Sequence, residues 1–202
     1  MGSTGGLLAL ARGTAHVAGS HLLDTTTGEY NHADVKKFLA EVPVRLITLV
    51  HRWQGFMVAR GNPKHIQTVA DLARADSRFI NRQPGSGTRI LFDFELRKAA
   101  IEPHAISGYT AEEHTHMAVA MAVASGRADA GLGIAAAAAA LDLEFVPISK
   151  ERYDLVIPEA VFQDDKVQLL LDIVRSPAFS QQVLQMQGYE VGETGHEALP
   201  PT

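Results

Sequence analysis

Two stretches of the chain repeat one phrase, and that phrase restricts the fold more than any single motif does. Residues 7–19 run Leu-Leu-Ala-Leu-Ala-Arg-Gly-Thr-Ala-His-Val-Ala-Gly, and residues 119–131 run Val-Ala-Met-Ala-Val-Ala-Ser-Gly-Arg-Ala-Asp-Ala-Gly. Each reads as an apolar helix, a glycine that ends it and a short strand. Gly13 and Gly126 supply the left-handed residue that stops a helix. The segments after them, 15–23 and 128–134, lack apolar and polar alternation, which is the pattern of strands covered on both faces. Setting Gly13 against Gly126 brings Ser3 opposite His116, so each half opens its helix on small or hydrogen-bonding residues. The repeat predicts two helix N-termini that face one cleft.

The remaining pieces alternate in the same way. Residues 44–59 are rich in β-branched and aromatic side chains, and Arg60-Gly61-Asn62-Pro63 is a turn cluster that reads as a connector. Thr68-Val69-Ala70-Asp71 has capping-box form and opens a short helix. A strand at 78–81, helices at 88–100 and 115–125, a strand at 128–134 and the alanine helix 135–140 then make one unit. Residues 143–158 read as a final extended passage. Asp165 to Arg175 carries apolar residues at Val167, Leu170, Leu171 and Val174, which is helical spacing, and a second helix over 177–188 finishes the first lobe, with the tail from Glu193 expected to be loose. Strands that alternate with helices imply an α/β fold with mixed sheets, and such sheets bind ligands beyond the carboxyl ends of their strands. The expected organisation is two lobes, residues 1–59 with 151–202 and residues 60–150, joined by crossings near 59–61 and 149–152 with a cleft between them.

Pro84-Gly85-Ser86-Gly87-Thr88-Arg89 turns from the strand at 78–81 into the helix that follows. The first amides of that helix are unpaired and point outward, so the helix end attracts anions. Ser86 and Thr88 add hydroxyl donors, the glycines admit a ligand close to the backbone, and Arg82 and Arg89 flank it with positive charge. A plain N-cap at Ser86 or Thr88 is the simpler alternative. The loop is not a Walker A motif, because the four-residue spacing and the Lys-Ser/Thr ending are missing, and it lacks the third glycine of a dinucleotide fingerprint.

Composition narrows the partners. With 23 acidic and 18 basic residues the formal charge is −5, and no Lys/Arg run exists, which argues against a nucleic-acid-binding surface. No apolar run approaches the length needed to span a bilayer, so the chain is expected to be soluble. The absence of cysteine removes disulfides, thiolate metal sites and cysteine nucleophiles. The N-terminus lacks the basic segment and apolar core of a secretory signal, which points to the cytoplasm. Ser3-Thr4-Gly5-Gly6 looks like the interior of a domain rather than its start.

The chain as a whole resembles the type II periplasmic-binding-protein superfamily, and more closely a cytoplasmic branch often attached to helix-turn-helix or molybdopterin-biosynthesis domains. The matching stretches are Gly2-Ser3-Thr4-Gly5-Gly6-Leu7, Ala18 to Asp24, Gly28 to Asn31, Gln54-Gly55-Phe56, Arg60 to Pro63, Asn81 to Arg89, Thr115-His116, Gly126 to Gly133 and Glu151 to Leu155. That branch begins with a further strand and helix before the Gly-Ser-x-Gly-Gly motif, at which this chain starts. The resemblance implies a ligand sensor, by analogy with molybdate, tungstate and phosphate binders, that needs no cofactor and performs no catalysis itself. It also implies a small oxyanion ligand, with a separate or fused DNA-binding or molybdopterin-biosynthesis partner. Phosphate binders of this fold resemble Arg-x-Asp-Gly-Ser-Gly-Thr, whose aspartate accepts the proton of hydrogen phosphate. Here Gln83-Pro84-Gly85 replaces it, which favours molybdate, tungstate or sulfate.

The candidate ligand residues are Ser3, Thr4, Ser86, Gly87 and Thr88. Arg82 and Arg89 are charge partners, with pairing to Asp93 or Glu95 as the alternative for one of them. His21 follows residues 15–20 of the first buried strand and so falls near its carboxyl end, where clefts form, and capping a loop is its alternative role. Tyr109, Thr115 and His116 precede the second repeat helix and are placed to close over a ligand. His114 and His116 also raise a metal reading, but zinc needs three or four ligands and only pairs are visible. Asp24 and Asp129 are expected near the cleft, orienting hydroxyls or histidines. Arg52 is placed on an anion path or on a strand surface, while Trp53 and the pair Phe92 and Phe94 read as packing. The competing readings are a prephenate-dehydratase-like enzyme, in which Thr88-Arg89 would act as the substrate-binding pair, and a domain that handles molybdopterin or molybdate. Porphobilinogen deaminase shares the architecture but hangs its cofactor from a cysteine.

Overall fold

The repeated phrase folds twice into the same local structure. In the computed structural model, which describes residues 2–198, helix α1 (Ser3–Ala11) ends at Gly13 with φ +66°. Two reverse hydrogen bonds close it, Gly13 N to Leu10 O (2.9 Å) and Thr14 N to Ala9 O (2.9 Å). That is the Schellman pattern, which only a left-handed residue permits without strain.

After α1 come β1 (Ala18–Ser20), α2 (His32–Phe38), β2 (Val44–Val58), β3 (Phe79–Arg82), α3 (Gly87–Lys98), β4 (Glu112–Glu113) and α4 (His116–Ala124). The chain continues through β5 (Ala130–Ile134), α5 (Ala135–Ala140), β6 (Glu144–Pro158), α6 (Glu159–Phe162), α7 (Asp165–Arg175), α8 (Pro177–Leu184) and β7 (Tyr189–Glu190). Helix α4 repeats the ending of α1, with Gly126 at φ +74° and bonds from Gly126 N to Val123 O and Arg127 N to Ala122 O, both 3.0 Å. Ser3 and His116, set opposite each other by the repeat, are the first residues of their helices. Thr68 and Asp71 close the capping box ahead of a short 3-10 turn, Val69–Ala73.

The chain divides into two compact units, one built from the segments up to Arg52 and from Glu151, the other from Trp53–Lys150. Each change of unit falls inside a long strand, first in β2 and then in β6. The turn Arg60-Gly61-Asn62-Pro63, expected at the first crossing, therefore lies wholly in the second unit, because β2 continues unbroken to Val58.

In the first unit β1 runs antiparallel to β6, with Ser20 opposite Asp154, and β7 runs antiparallel to β2, with Arg52 opposite Tyr189. Ile47, Ile157, Phe162, Val167 and Leu171 form a buried cluster, and each such side chain contributes roughly 1.5–3 kcal/mol through burial. Helix α7 buries Val167, Leu171 and Val174, whereas Leu170 is 36% exposed and sits at the edge of the stripe. Strand β1 is shorter than the 15–23 segment predicted for it. Past Ser20, Asn31 takes over the ladder bonds: Leu22 N donates to Asn31 Oδ1 (2.8 Å), and Asn31 N donates to Leu22 O (2.8 Å).

The second unit has a mixed sheet. The later part of β2 pairs antiparallel with β5, while β3 lies parallel to β5 and β4 lies parallel to β3. Val119, Ala120, Ala122 and Val123 of α4 and Ala137 and Ala138 of α5 pack with Met57 and Ile80. The small side chains of α5 let that helix approach the sheet closely. Phe92 of α3 stacks on Phe79 of β3 with ring centroids 4.3 Å apart, so it packs as expected. No helix among the described residues is long and apolar enough to cross a membrane.

Candidate functional site

Strands β3 and β5 are parallel, so their carboxyl ends share one edge of the second unit's sheet, where α/β folds place ligands. The chain leaves β3 through a tight turn. Gly85 has φ +80°, and Ser86 N returns to Gln83 O at 3.3 Å; proline then glycine at the two central positions is the type II signature. The turn delivers Ser86 as the N-cap of α3, its Oγ accepting from Arg89 N at 3.2 Å. The capping role is thus real and belongs to Ser86, whose hydroxyl proton remains available for donation.

Thr88 does something different. It is 1% exposed, and its Oγ1 has no hydrogen-bond partner. A buried hydroxyl left unmatched costs about 1–3 kcal/mol, and such a group in a native fold calls for an explanation. The amides of Gly87 and Thr88, first and second in α3, have no acceptor within their own helix, and the helix dipole adds partial positive charge. Gly87, Thr88 and Ser86 are all buried. The start of α3 is a group of uncharged donors with one hydroxyl unsatisfied.

Of the two roles set out for Arg89, the structure shows the pairing with Asp93. Its side chain is 10% exposed, and Nε lies 3.2 Å from Asp93 Oδ1. A terminal nitrogen donates to Arg82 O (3.1 Å) and to Glu112 (3.4 Å). The guanidinium lies 4.1 Å from the centre of the Tyr109 ring, and the Tyr109 hydroxyl donates to Asp93 at 2.9 Å. Burial opposes the guanidinium charge, but Tyr109 and Asp93 outweigh it and raise the pKa above its ordinary value. Arg89 and Tyr109 therefore brace α3 against β3 and β4. Arg82 is also largely buried, donating to Gln83 Oε1 and to His114 O, both at 3.1 Å.

Thr115 caps α4, its hydroxyl accepting from Ala118 N at 3.0 Å. His116 begins α4 beside the carboxyl end of β5: a Cβ on Gly133 would lie 3.5 Å from His116 Nδ1. No group of three or more metal-ligating side chains occurs among the described residues.

The first unit gathers a second polar group where α1 meets β1. Ser3, 4% exposed, accepts from His21 N at 3.3 Å, and Thr4 follows it in the first turn of α1. Ser20 is fully buried, and its Oγ has no hydrogen-bond partner. His21 Nδ1 lies 3.0 Å from Glu151 Oε2, and Arg52 Nε bonds the other oxygen of the same carboxylate. Glu151 is 0% exposed. Burial alone would raise its pKa, but His21 and Arg52 outweigh burial and bring it from 4.5 down to about 2. The His21 ring stacks on Tyr153 (5.1 Å), and the Arg52 guanidinium faces the same ring at 4.9 Å. Arg52 is thus a buried ion-pair partner and not a surface residue. Beside this group Asn31, at φ +70°, donates to Ser20 O (3.2 Å) and to Asp154 Oδ2 (2.8 Å), and Arg152 Nε also bonds Asp154 (2.9 Å).

The side chains of Asp24 and Asp129 are engaged in other contacts. Asp24 holds the turn at Thr26 and Thr27, which lowers its pKa by hydrogen bonding. Asp129 pairs with Arg78 at the amino end of β5, the edge opposite the carboxyl ends. Ser20, Glu151, Asn31 and Asp154 were not singled out in the sequence as site residues; only their place in the segments 18–24, 28–31 and 151–155 marked them.

The PBP superfamily domain matches residues 1–175 of the chain. The protein YvgK of Bacillus subtilis (strain 168), itself called uncharacterized, is 37% identical over 198 residues, aligning 98% of this chain with 64% of that protein. The chain thus spans 64% of the Bacillus protein's length. A protein from the 5′ region of the 2Fe-2S ferredoxin gene of Clostridium pasteurianum, also uncharacterized, is 36% identical over 107 residues, covering 52% of this chain and 95% of that one. Among solved structures, the tungstate ABC transporter from Geobacter sulfurreducens superposes with a TM-score of 0.64 at 18% identity, covering 88% of this chain and 80% of that one. The CcmR regulatory domain of Synechocystis PCC6803 in complex with 2-PG gives 0.62 at 14% identity, with 85% and 77% covered. An ABC-type phosphate transport receptor from Vibrio cholerae gives 0.57 at 12% identity, with 98% and 86% covered. At these identities the likeness is one of fold, the α/β fold of type II periplasmic-binding-like proteins.

Proposed function

The chain belongs to the PBP superfamily, and on that premise we propose that it is a sensor domain that binds a small oxyanion and does no chemistry on it. One observation carries the reading: Thr88 Oγ1 is buried without a partner at the start of α3, beside the Ser86 hydroxyl and the first amides of the helix. Uncharged donors at a helix N-terminus suit a tetrahedral anion. Gln83-Pro84-Gly85 brings no carboxylate to accept the proton of hydrogen phosphate, so a fully deprotonated ion fits better. Molybdate or tungstate is favoured, and sulfate is the smaller alternative. Ser3, Thr4 and Ser20 of the first unit offer the same kind of hydroxyl donors beside His21, and we assign these residues the same class of ligand. The tungstate transporter of similar fold supports this choice, and the phosphate receptor names the competitor to exclude.

The reading further assigns the chain to the cytoplasm, with a separate or fused DNA-binding or molybdopterin-biosynthesis partner and no direct contact with nucleic acid or membrane. A prephenate-dehydratase-like activity would require Arg89 to reach its substrate, and that guanidinium is committed to Asp93, Glu112 and Arg82 O.

A thermal-shift panel of molybdate, tungstate, sulfate, phosphate, prephenate and a pterin tests the assignment. A ligand at about 100 times its Kd stabilises the fold by about 2.7 kcal/mol. Molybdate and tungstate are expected to raise the melting temperature and phosphate is not; a shift with prephenate alone refutes the sensor reading.

A further inference from the structure

At the carboxyl end of β1, His21 is held at three points. Its amide donates to Ser3 Oγ (3.3 Å), its Nδ1 lies 3.0 Å from Glu151 Oε2, and its ring stacks on Tyr153. Glu151 is fully buried, with Arg52 on its other oxygen. An ionised carboxylate can only accept, so Nδ1 of His21 carries the proton. The remaining nitrogen, Nε2, makes no hydrogen bond among the described residues, and the side chain is 13% exposed. That atom is left to meet a ligand.

We infer that Glu151 is a positioning residue that fixes the tautomer of His21 and thereby makes His21 Nε2 a specificity-determining contact for an oxyanion held by the first unit's donors. With the imidazole protonated, Nε2 donates to a fully deprotonated ion; with it neutral, Nε2 only accepts and repels the same ion. The inference rests on the oxyanion reading of the first unit's donors. The titratable and polar groups around His21 are Glu151 and Tyr153 from β6, Arg52 from β2 on the far side of Glu151, Tyr189 of β7 behind Arg52, and Ser3 at the amino end of α1. Tyr153 is itself fixed, because its hydroxyl occupies the space a Cβ on Gly19 would need, 2.5 Å away.

Two measurements on the full chain test the inference. Long-range proton–nitrogen NMR of the ligand-free protein reads the tautomer of neutral His21. Protonation at Nδ1 is expected in the wild type, with a mixture of tautomers in Glu151→Gln; a wild-type spectrum showing Nε2–H overturns the inference. Calorimetric titration with tungstate from about pH 5 to about pH 8, the range in which imidazoles change charge, reads the contact. The wild type should bind roughly tenfold or more weakly at the upper end, taking up a proton on binding, and His21→Gln should flatten the profile. Tight binding that is independent of pH in the wild type overturns the role of His21 and leaves the oxyanion reading standing. No tungstate binding at any pH overturns both. If Glu151→Gln does not fold, the wild-type spectrum and His21→Gln decide the matter.

Discussion

Replacing Thr88 by valine keeps the shape of the side chain and removes the unsatisfied hydroxyl. In the ligand-free protein that hydroxyl is buried and unpartnered, and such a group costs about 1–3 kcal/mol. Thr88→Val should therefore stabilise the empty protein by about 1 kcal/mol, which for a chain of 202 residues raises Tm by roughly 2–4 °C. Binding should move the other way. A hydrogen bond to a charged partner contributes about 1.5–3 kcal/mol, so the variant should bind its oxyanion roughly 10- to 100-fold more weakly. Ser86→Ala provides the contrast, because Ser86 caps α3 and losing a cap costs about 1 kcal/mol. The two variants, two residues apart, should shift the ligand-free melt in opposite directions. Scanning calorimetry of both, with titration of tungstate into each, supplies the data. If Thr88→Val lowers Tm as much as Ser86→Ala and leaves tungstate affinity unchanged, the hydroxyl has an ordinary packing role and the reasoning fails.

Other perturbations have equally definite outcomes. The pKa of Glu151 is depressed from 4.5 to about 2, so its stabilisation is complete above pH 4.5 and is lost as pH falls toward about 2; at 1.36 kcal/mol per pH unit this amounts to about 3 kcal/mol. Urea midpoints for the wild type should fall across that acid window, while Glu151→Gln should start lower and fall less; parallel curves would contradict the ion-pair account. Asn31→Ala removes the bonds to Leu22 N, Ser20 O and Asp154 and should cost roughly 1–3 kcal/mol, because buried groups lose a partner while Arg152 still pairs Asp154; a loss below about 0.5 kcal/mol by urea unfolding would show the network to be dispensable. Gly19→Ala forces Tyr153 out of its position and should destabilise by roughly 1–3 kcal/mol, as overpacking does. The His21 ring resonances should shift with it, and an unchanged spectrum would refute the stacking.

Features set by neighbouring residues were readable in the sequence. The glycine endings of α1 and α4, the cap at Ser86, the capping box at Thr68 and Asp71 and the limits of α7 depend on residues within a turn of one another. The register of the repeat, which set Ser3 opposite His116, rests on those endings. Features set by distant residues were not readable. Asn31 and Asp154 are 123 positions apart, and Arg52 and Glu151 are 99 apart, so nothing beside either carboxylate in the sequence marks it as buried. The truncation of β1 follows from Asn31, whose side chain imitates a ladder partner. The first change of unit eluded the turn signal at 60–63 because β2 carries the chain through it in regular extended backbone. Arg89 illustrates the intermediate case: Asp93, one helical turn on, was visible as a partner, whereas Glu112 and Tyr109 were not.

Crystals grown with tungstate place the anion by its own anomalous scattering. Tungsten density is expected within hydrogen-bonding reach of Thr88 Oγ1 and the Gly87 amide, and at a tungstate concentration near the wild-type Kd its occupancy should fall steeply in crystals of Thr88→Val. Density that avoids the start of α3, or that persists unchanged in the variant, would contradict the assignment.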